Sequence, residues 1–308
     1  MQRILITGGA GFIGSHTADY CLEKGANVTV FDDLSSGKLQ NLNVFHPNLK
    51  LVQGDVQDYA LLLKEIKNAD NILHLAALPS VQKSIEDPIH SLKVNTLGFL
   101  HVLQAIRESG SPKRLVYASS AAIYGHTTEL PCSDEKPLPS QILSPYALEK
   151  ANNERYADLH AELYQIPSLG LRYFNVYGKR QDPASPYSGV ISKFIEKFTK
   201  NEPLTIFGDG EQSRDFIHVS DVARANWLAL QSHEVGALNI ASGVPQTLNQ
   251  LVKYLETISG NPIKVNYVEK RSGDIEKSYA CIKKAASSLG FSAEVSLVDG
   301  LSKICYLS

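Results

Sequence analysis

The sequence predicts an α/β protein built on a doubly wound parallel sheet, with a smaller α/β domain towards the C-terminus. Through the first half of the chain, short apolar runs typical of buried strands alternate with stretches whose apolar residues recur at helical period. Right-handed crossovers turn such an alternation into a parallel sheet covered by helices on both faces. Beyond the sixth predicted strand the alternation loosens into shorter elements, which indicates the second domain.

The first strand and the turn after it have the pattern of a dinucleotide-binding turn. An apolar run at 4–7 is followed by three spaced glycines and then by the start of a helix. The first glycine permits the turn, the second lets the backbone approach a pyrophosphate, and the third lets the helix pack on the strand. The helix N-terminus then faces the negative charge. We assign to this contact Gly8, Gly11, Phe12, Ile13 and Gly14.

The second strand, at 28–32, ends in a carboxylate at about the twenty-residue distance that is typical of a ribose-binding acid. Asp32 would accept hydrogen bonds from both ribose hydroxyls and would repel a 2′-phosphate. The sequence therefore predicts a Rossmann-type sheet that binds NAD rather than NADP.

Two further strands, at 49–53 and 71–77, complete the expected cofactor side of the sheet. Asp55 has two interpretations, as the N-cap of the next helix and as a contact to the adenine amino group, and both can hold at once. We assign Asp55 and Val56 to the cofactor, together with Ala76, because a flat ligand crossing a strand end needs small residues there. His74 lies in an apolar run and is interpreted as a structural histidine.

The rest of the chain gives a coarse division into domains. A helix is predicted over 91–107, with Leu92 and Asn95 on its periodic face, then a strand at 114–118, a loop over 125–145 and a sixth strand at 167–172. We predict an NAD-binding domain over 1–176 and a smaller nucleotide-sugar-binding domain over 177–308. The two are interleaved, because about 215–242 is expected to return to the large sheet.

Composition excludes several classes of partner. The chain has 308 residues, with 30 basic residues against 32 acidic ones, and no long run of one sign. Capture of nucleic acid or a membrane is therefore not expected, and no apolar run is long enough to span a bilayer. The four cysteines have neither paired spacing nor metal-ligand neighbours, so we expect free thiols, no metal site and a cytoplasmic protein.

A tyrosine and a lysine separated by one helical turn are the candidate catalytic pair. Tyr146 and Lys150 lie four residues apart in a helical stretch, which places both on one face. A phenol titrates near ~10, so a tyrosine base at neutral pH needs selective stabilisation of its phenolate. Lys150 and a positive nicotinamide ring would supply it. Ser120 ends the fifth strand, where ligands of doubly wound sheets bind, and it can reach a substrate hydroxyl or cap a turn.

These motifs, in this order, resemble the extended short-chain dehydrogenase/reductase family, and within it the NAD-dependent nucleotide-sugar 4-epimerases. The likeness covers nearly the whole chain and includes the glycine turn, Asp32, Tyr146-x-x-x-Lys150 and the segment 172–178. The resemblance implies that Tyr146 is the general base, that Lys150 holds the nicotinamide ribose and lowers the Tyr146 pKa, and that Ser120 binds the sugar 4-hydroxyl. It also implies a homodimer formed through helices near 92–107 and 146–163.

The resemblance further implies contacts to a UDP-sugar from the second half of the chain. Arg214 and Arg271 would hold phosphate, Asp274 the uridine ribose, and Asn175 phosphate or sugar. A small residue four positions after Asp274, here Ser278, would admit an N-acetyl group beside the sugar C2, although a shift of one residue would put Tyr279 there. The segment around Ser80 also looks like the branch that prefers N-acetylated sugars.

Two alanines separate the reactions that are open to this family. Dehydratases and decarboxylases resemble each other in carrying acidic residues after the catalytic serine, where this chain has Ala121 and Ala122. Epimerisation of UDP-N-acetylglucosamine and UDP-glucose through a 4-keto intermediate is therefore expected. The alternatives are a UDP-glucuronate 4-epimerase or another nucleotide-sugar-modifying member, with Arg180 as a possible partner of the 6-carboxylate, and a non-catalytic NAD sensor. Lys179 and Cys281 depart from residues common in the family.

Overall fold

A parallel sheet of seven strands forms the centre of the molecule. The computed structural model describes residues 1–111, 113–139, 141–182, 189–270, 273 and 275–305. The strands of this sheet are β1 (Arg3–Thr7), β2 (Asn27–Asp32), β3 (Leu49–Gln53), β4 (Asn71–His74), β5 (Arg114–Ser120), β6 (Ser168–Tyr173) and β10 (Gly236–Ile240). They lie side by side in the order β10, β6, β5, β4, β1, β2, β3. The order reverses between β1 and β4, which makes that crevice the expected ligand site.

Helices cover both faces of this sheet, because alternate residues of each strand enter different cores. On β1, Ile4 and Ile6 pack with α1 and α8, whereas Leu5 packs with α2 and α5. The same face as α2 and α5 also receives α6. These helices are α1 (Phe12–Glu23), α2 (Tyr59–Lys67), α3 (Val81–Glu86), α4 (Pro88–Leu92), α5 (Gly98–Glu108), α6 (Pro145–Tyr164) and α8 (Val219–Gln231).

The smaller domain has its own sheets and its own core. One sheet contains β7 (Asn175–Tyr177), β9 (Ser213–His218), β11 (Pro245–Thr247) and β13 (Lys277–Ser278); β8 (Leu204–Phe207) pairs with β12 (Val265–Val268). Phe194, Ile206, Leu251 and Leu301 are buried together beneath them. The helices of this half are α7 (Val190–Thr199), α9 (Leu248–Ser259), α10 (Lys283–Leu289) and α11 (Leu297–Cys305).

The fold class predicted from the sequence is confirmed, and the structure refines how the chain passes between the two halves. β10 lies beside β6 in the large sheet, as expected of a returning strand. β9 does not return, because it pairs with β7, β11 and β13 in the small sheet, so the returning segment begins at Val219 rather than near 215. α10 also packs on β10 and α8, with Ala285 and Leu289 in the main core. The domain limits themselves stay a prediction.

The helix predicted over 91–107 is interrupted. α4 ends at Leu92, a π-helical turn covers Lys93–Leu97, and α5 then begins at Gly98. A π turn inserts a residue and rotates the helix face, which a constant 3.6-residue period cannot represent. Leu92 is therefore 50% exposed although the period predicts it to face inwards, whereas Asn95 is buried at 1%.

The residue that caps α2 is also different from the one expected. The side chain of Asp58 accepts from the backbone N–H of Leu61 at 3.1 Å and is the N-cap. Asp55 instead accepts from Gln57 in the turn before the helix, at 2.8 Å from its backbone nitrogen. The N-cap interpretation of Asp55 is therefore wrong, because the helix begins later than its apolar run indicated. Within the described residues, no helix combines the length and apolar character needed to cross a membrane.

Candidate active site

The glycine turn leaves no room for side chains at its two tightest positions. Gly8 has φ +70, and a Cβ there would lie 2.6 Å from the Ala76 nitrogen; a Cβ on Gly14 would lie 2.2 Å from the Gly8 oxygen. Gly11 is the N-cap of α1 and offers no side chain to the first N–H groups of the helix. Those groups, from Phe12 and Ile13 onwards, are thus available to a pyrophosphate. The turn fits the cofactor predicted for it.

Asp32 lies at the end of β2 beside this turn and is 6% exposed. Its two oxygens accept from the Ala10 nitrogen at 2.9 Å and the Leu34 nitrogen at 2.8 Å. Burial raises the pKa of this carboxyl, and the two backbone N–H groups oppose the rise. Each carboxylate oxygen keeps a second lone pair, so Asp32 can still accept from ribose hydroxyls. Its role in NAD binding stays a prediction.

The other residues assigned to the cofactor lie on neighbouring strand ends. Val56 is 5% exposed and packs in the core beside Phe31. Ala76 follows β4, and its nitrogen donates to Thr7 Oγ1 at 3.3 Å. The same hydroxyl lies 2.8 Å from Nδ1 of His74, which is buried and whose pKa burial lowers to about 3. His74 is therefore a neutral core histidine, in agreement with its structural interpretation.

The structure brings Ser120, Tyr146 and Lys150 together where β5 ends against α6. Ser120 is the last residue of β5, and its side chain is hydrogen-bonded to Tyr146 near the start of α6. Ser120 Oγ also accepts from the Ala122 nitrogen at 3.2 Å, so Ser120 caps the turn that follows β5, and its contact with a substrate hydroxyl stays a prediction. Lys150 Nζ lies 5.8 Å from the Tyr146 ring centroid and donates to the Ala118 carbonyl oxygen at 2.9 Å.

Taken together, the protein groups around Tyr146 raise its pKa. Burial raises the pKa of the phenol, the hydrogen bond with Ser120 opposes this, and Glu149 adds to the rise. Burial lowers the pKa of Lys150 to about 8, with Glu149 acting in the opposite direction. In the described structure Ser120 lowers the pKa of Tyr146, and the further lowering assigned to Lys150 and to a positive nicotinamide ring stays a prediction.

A buried ion pair fixes α6 against the sheet one turn beyond Lys150. Arg172 of β6 donates to both oxygens of Glu154, at 2.9 Å from Nε and 2.7 Å from Nη2. Ser119 donates to the same carboxylate at 2.5 Å. Because both charged side chains are 7% exposed, water does not screen them. The ion pair holds α6 against β6, and the Ser119 hydrogen bond holds the same carboxylate against the end of β5.

The same network continues into the smaller domain. Arg172 Nη1 donates to the Tyr124 hydroxyl at 2.8 Å, and that hydroxyl donates to Asn239 of β10 at 2.7 Å. Asn239 Nδ2 in turn donates to the carbonyl oxygens of Cys132, in the loop over the site, and Cys281, after β13. No motif in the sequence assigns a role to any of these residues. Two features of the sequence point to the buried pair: the charged Arg172 lies within an apolar strand, and Glu154 follows Lys150 by four residues.

Three of the residues predicted to bind substrate meet around β9. Arg214 is in β9, and Ser278 of β13 is its direct neighbour across the parallel pair. Side chains of paired residues share one face of a sheet, so Ser278 lies on the Arg214 side and Tyr279 alternates away from it. Asn175 of β7 donates from Nδ2 to the Asp215 carbonyl oxygen at 3.2 Å. Arg271 and Asp274, the other two predicted ligands, lie outside the described residues.

Two other candidates are already engaged. Ser80 is 1% exposed, and its hydroxyl caps α3 by accepting from the Lys83 nitrogen at 3.0 Å. Its side chain therefore acts as a helix cap, and a contact with the sugar stays a prediction. Arg180, suggested as the partner of a 6-carboxylate, pairs with Asp19 of α1 at 2.8 Å. Among the described residues there is no group of three or more His, Cys, Asp and Glu side chains that could hold a metal ion.

A parallel sheet with a glycine turn at its switch point and a Ser-Tyr-Lys group at a neighbouring strand end defines a dinucleotide-dependent enzyme of the short-chain dehydrogenase/reductase type. The sequence profile described as NAD dependent epimerase/dehydratase family matches residues 4–241, and the chain belongs to that family.

Relatives and solved structures match along almost the full chain. A protein of Methanocaldococcus jannaschii named putative UDP-glucose 4-epimerase is 39% identical, over 98% of this chain and 96% of that protein. The UDP-N-acetylglucosamine 4-epimerase of Methanobrevibacter ruminantium, solved with UDP-N-acetylmuramic acid, has a TM-score of 0.94 at 37% identity, over 99% of this chain and 97% of that one. The Thermus thermophilus UDP-glucose 4-epimerase, solved with NAD, has a TM-score of 0.89 at 34% identity, over 99% and 98%.

We expect substitution of Arg172 by Met to destabilise the protein by about 3–5 kcal/mol, because it leaves the Glu154 carboxylate buried without its partner. Denaturant unfolding measures this loss. The matched control is Lys136→Met, which breaks the exposed pair with Glu129 and should leave stability unchanged. Equal effects of the two substitutions would contradict the role given to the buried pair.

Proposed function

We propose that this protein is an NAD-dependent 4-epimerase of UDP-hexoses, acting on UDP-glucose and UDP-galactose and on their N-acetylated counterparts. The observation that carries the proposal is the meeting of Ser120, Tyr146 and Lys150 at the end of β5, next to a glycine turn that fits a pyrophosphate. The family match and the names of the relatives support the same reaction.

The side chains at the end of β5 divide the work of moving one proton. Tyr146 is the general base that takes the proton of the sugar 4-hydroxyl, and Ser120 holds that hydroxyl and the phenol in one hydrogen-bonded group. Bound NAD would supply the acceptor for the hydride of the sugar C4 and the donor for its return to the keto sugar. Lys150 uses one of its three donors on Ala118, which leaves two for ribose hydroxyls.

The neighbours of Ser120 support epimerisation over elimination. Ala121 and Ala122 begin a 3₁₀ turn, Ala121–Tyr124, directly after the strand. Removing a C5 proton and expelling a C6 hydroxyl needs an acid and a base in addition to the tyrosine, and methyl groups supply neither. Because epimerisation is redox-neutral, the cofactor is expected to stay bound through each turnover, as the enclosed glycine turn favours.

The small residue opposite Arg214 supports acceptance of N-acetylated sugars. Ser278 shares a face with Arg214, the predicted phosphate ligand, and so lies on the substrate side of β13. A hydroxymethyl group leaves space that an aromatic ring would fill. The rival reaction on UDP-glucuronate lacks its suggested ligand, because Asp19 already neutralises Arg180.

An exposed apolar face supports the proposed homodimer. Side chains on α3, α4 and α6 that are more than a third exposed form what we call the α4–α6 face, namely Ile85, Ile89, Leu92, Leu148, Leu159 and Leu163. α3 and α4 both pack against α6, which brings the three helices that carry these side chains together. Large exposed apolar patches mark contact surfaces. We also propose a cytoplasmic place of action, where NAD and UDP-sugars serve as its ligands.

The reaction is tested with purified protein incubated separately with UDP-N-acetylglucosamine, UDP-glucose and UDP-glucuronate, and followed by proton NMR. We expect conversion of both neutral sugars without added NAD. Tyr146→Phe should reduce the rate by about 10²–10⁴-fold, the usual loss of a general base. Tyr156→Phe on the same helix is the control and should keep full activity. Failure of either neutral sugar to react, or turnover of UDP-glucuronate alone, would count against the proposal.

Replacing Ser278 by Tyr should abolish turnover of the N-acetylated sugar and spare UDP-glucose, because the ring would occupy the space of the acetamido group. Rates on the two substrates, measured side by side, give the answer. Ser278→Ala controls for loss of the hydroxyl and should affect neither. An equal loss on both sugars in Ser278→Tyr would show that residue 278 does not select between plain and N-acetylated sugars.

Replacing Leu159 by Glu should shift the protein from dimer to monomer, since a charge would enter the apolar contact. Sedimentation analysis measures the mass. Phe45→Glu is the matched control, because Phe45 is 94% exposed but lies away from the α4–α6 face. A wild-type protein that sediments as a monomer, or a Leu159→Glu dimer, would refute this surface as the interface.

A further inference from the structure

We propose that a cavity between α1, the segment after β7 and α11 binds a small phosphate-type anion. The cavity measures about 250 Å³ and is lined by His16, Lys179, His218 and Lys303. The lining thus combines two lysines, both exposed, with two histidines, and it includes no carboxylate. None of the four belongs to the residues assigned above to NAD or the UDP-sugar.

The hydrogen bonds of the two histidines fix which nitrogen carries a proton. His16 Nε2 lies 2.9 Å from the carbonyl oxygen of Lys179, so this nitrogen donates. His218 Nδ1 accepts from the Ser220 nitrogen at 3.3 Å and lies 2.7 Å from Ser220 Oγ. The neutral His218 ring therefore carries its proton on Nε2.

The Nε2–H of His218 is a donor that no described residue accepts. His218 is 8% exposed, and only its Nδ1 is hydrogen-bonded, to Ser220. A donor that is open to a cavity is normally paired with water or with a bound molecule. Since His218 lines the cavity, a ligand there with acceptor oxygens would satisfy it.

The charges around the cavity favour an anion. Within the described part of the chain, neither Lys179 nor Lys303 forms an ion pair through its ammonium group. The two carboxylates that act on the imidazoles are already bound: Asp19 pairs with Arg180 at 2.8 Å, and Asp221 accepts from the nitrogens of Glu294 and Val295, each at 3.0 Å, and also pairs with Arg224.

Burial and neighbouring positive charge both act against protonation of His218. The pKa of His218 is lowered to about 4, mainly by burial and also by Lys303 and His16, with Asp221 acting in the opposite direction. For His16, burial likewise lowers the pKa, as do Arg180 and Lys179, whereas the Lys179 carbonyl and Asp19 raise it. The uncompensated charge in the cavity is therefore that of the two lysines.

Size and donor type select the class of ligand. The cavity holds several waters at roughly 30 Å³ each but falls short of the ~300 Å³ at which pockets for larger organic molecules begin. Lysine ammonium groups bind phosphate oxygens as point charges, and an imidazole N–H adds a directional donor. Inorganic phosphate, or the phosphoryl end of a phosphomonoester, matches this set. Lys179 is also the residue that stands in place of a proline common in the family.

The probe is inorganic phosphate, titrated at constant ionic strength with chloride as the balancing anion, on protein saturated with NAD and UDP so that the diphosphate sites are occupied. We expect phosphate to raise the melting temperature in a saturable way, because it binds the folded state. Lys179→Gln and Lys303→Gln should each weaken phosphate binding about tenfold, the scale of one charged hydrogen bond. Lys253→Gln, an exposed lysine on α9, is the control and should bind as the wild type does.

Histidine side-chain NMR gives a second readout that does not depend on folding stability. Phosphate should shift the Nε2 resonances of His16 and His218 and leave that of the exposed His126 unchanged. Absence of a saturable phosphate effect beyond that of chloride would overturn the proposal. So would phosphate binding of unchanged strength in both Lys179→Gln and Lys303→Gln, because the ion would then occupy another site. Epimerase activity enters neither readout.

Discussion

The contact between α6 and the carboxyl end of β5 is the constraint on which the active site depends. Along one face of α6, Tyr146 is bonded to Ser120, Lys150 to the Ala118 carbonyl oxygen, and Glu154 to Ser119. Each successive helical turn thus holds the strand end at a different point. Displacement of the helix would separate Tyr146, the proposed base, from Ser120, and small errors in the position of a catalytic group are costly in rate.

The buried pair of Glu154 and Arg172 gives this contact its rigidity at a thermodynamic cost. Taking two charges out of water is expensive, and hydrogen bonds from Ser119 and to Tyr124 offset part of that cost. Because the network continues through Asn239 to the backbone beside Cys132 and Cys281, it links the catalytic helix to the loop over the site and to the strand carrying Ser278. One connected group of side chains therefore links the helix of the proposed base, Tyr146, to the backbone three residues beyond Ser278, the residue proposed to admit the N-acetyl group.

The sequence predicted the elements best where one local rule decided them. The glycine turn, the strand-ending Asp32 and the Tyr-Lys spacing are local, and the structure places all of them at strand ends on the expected sheet. The π turn at Lys93–Leu97 and the capping by Asp58 escaped prediction because each depends on a shift of one to three residues that periodicity does not encode. Glu154, Asn239 and His218 depend on contacts between distant segments, so no spacing along the chain indicates them.

We propose that a hydride leaves C4 of the sugar and returns to the same carbon within one turnover. UDP-glucose deuterated at C4, incubated with the protein in ordinary water and analysed by NMR and mass spectrometry, tests this most directly. We expect UDP-galactose that keeps its deuterium at C4, with none lost to solvent. Replacement of that deuterium by solvent hydrogen would contradict it, because the hydrogen would then have left C4 as a proton.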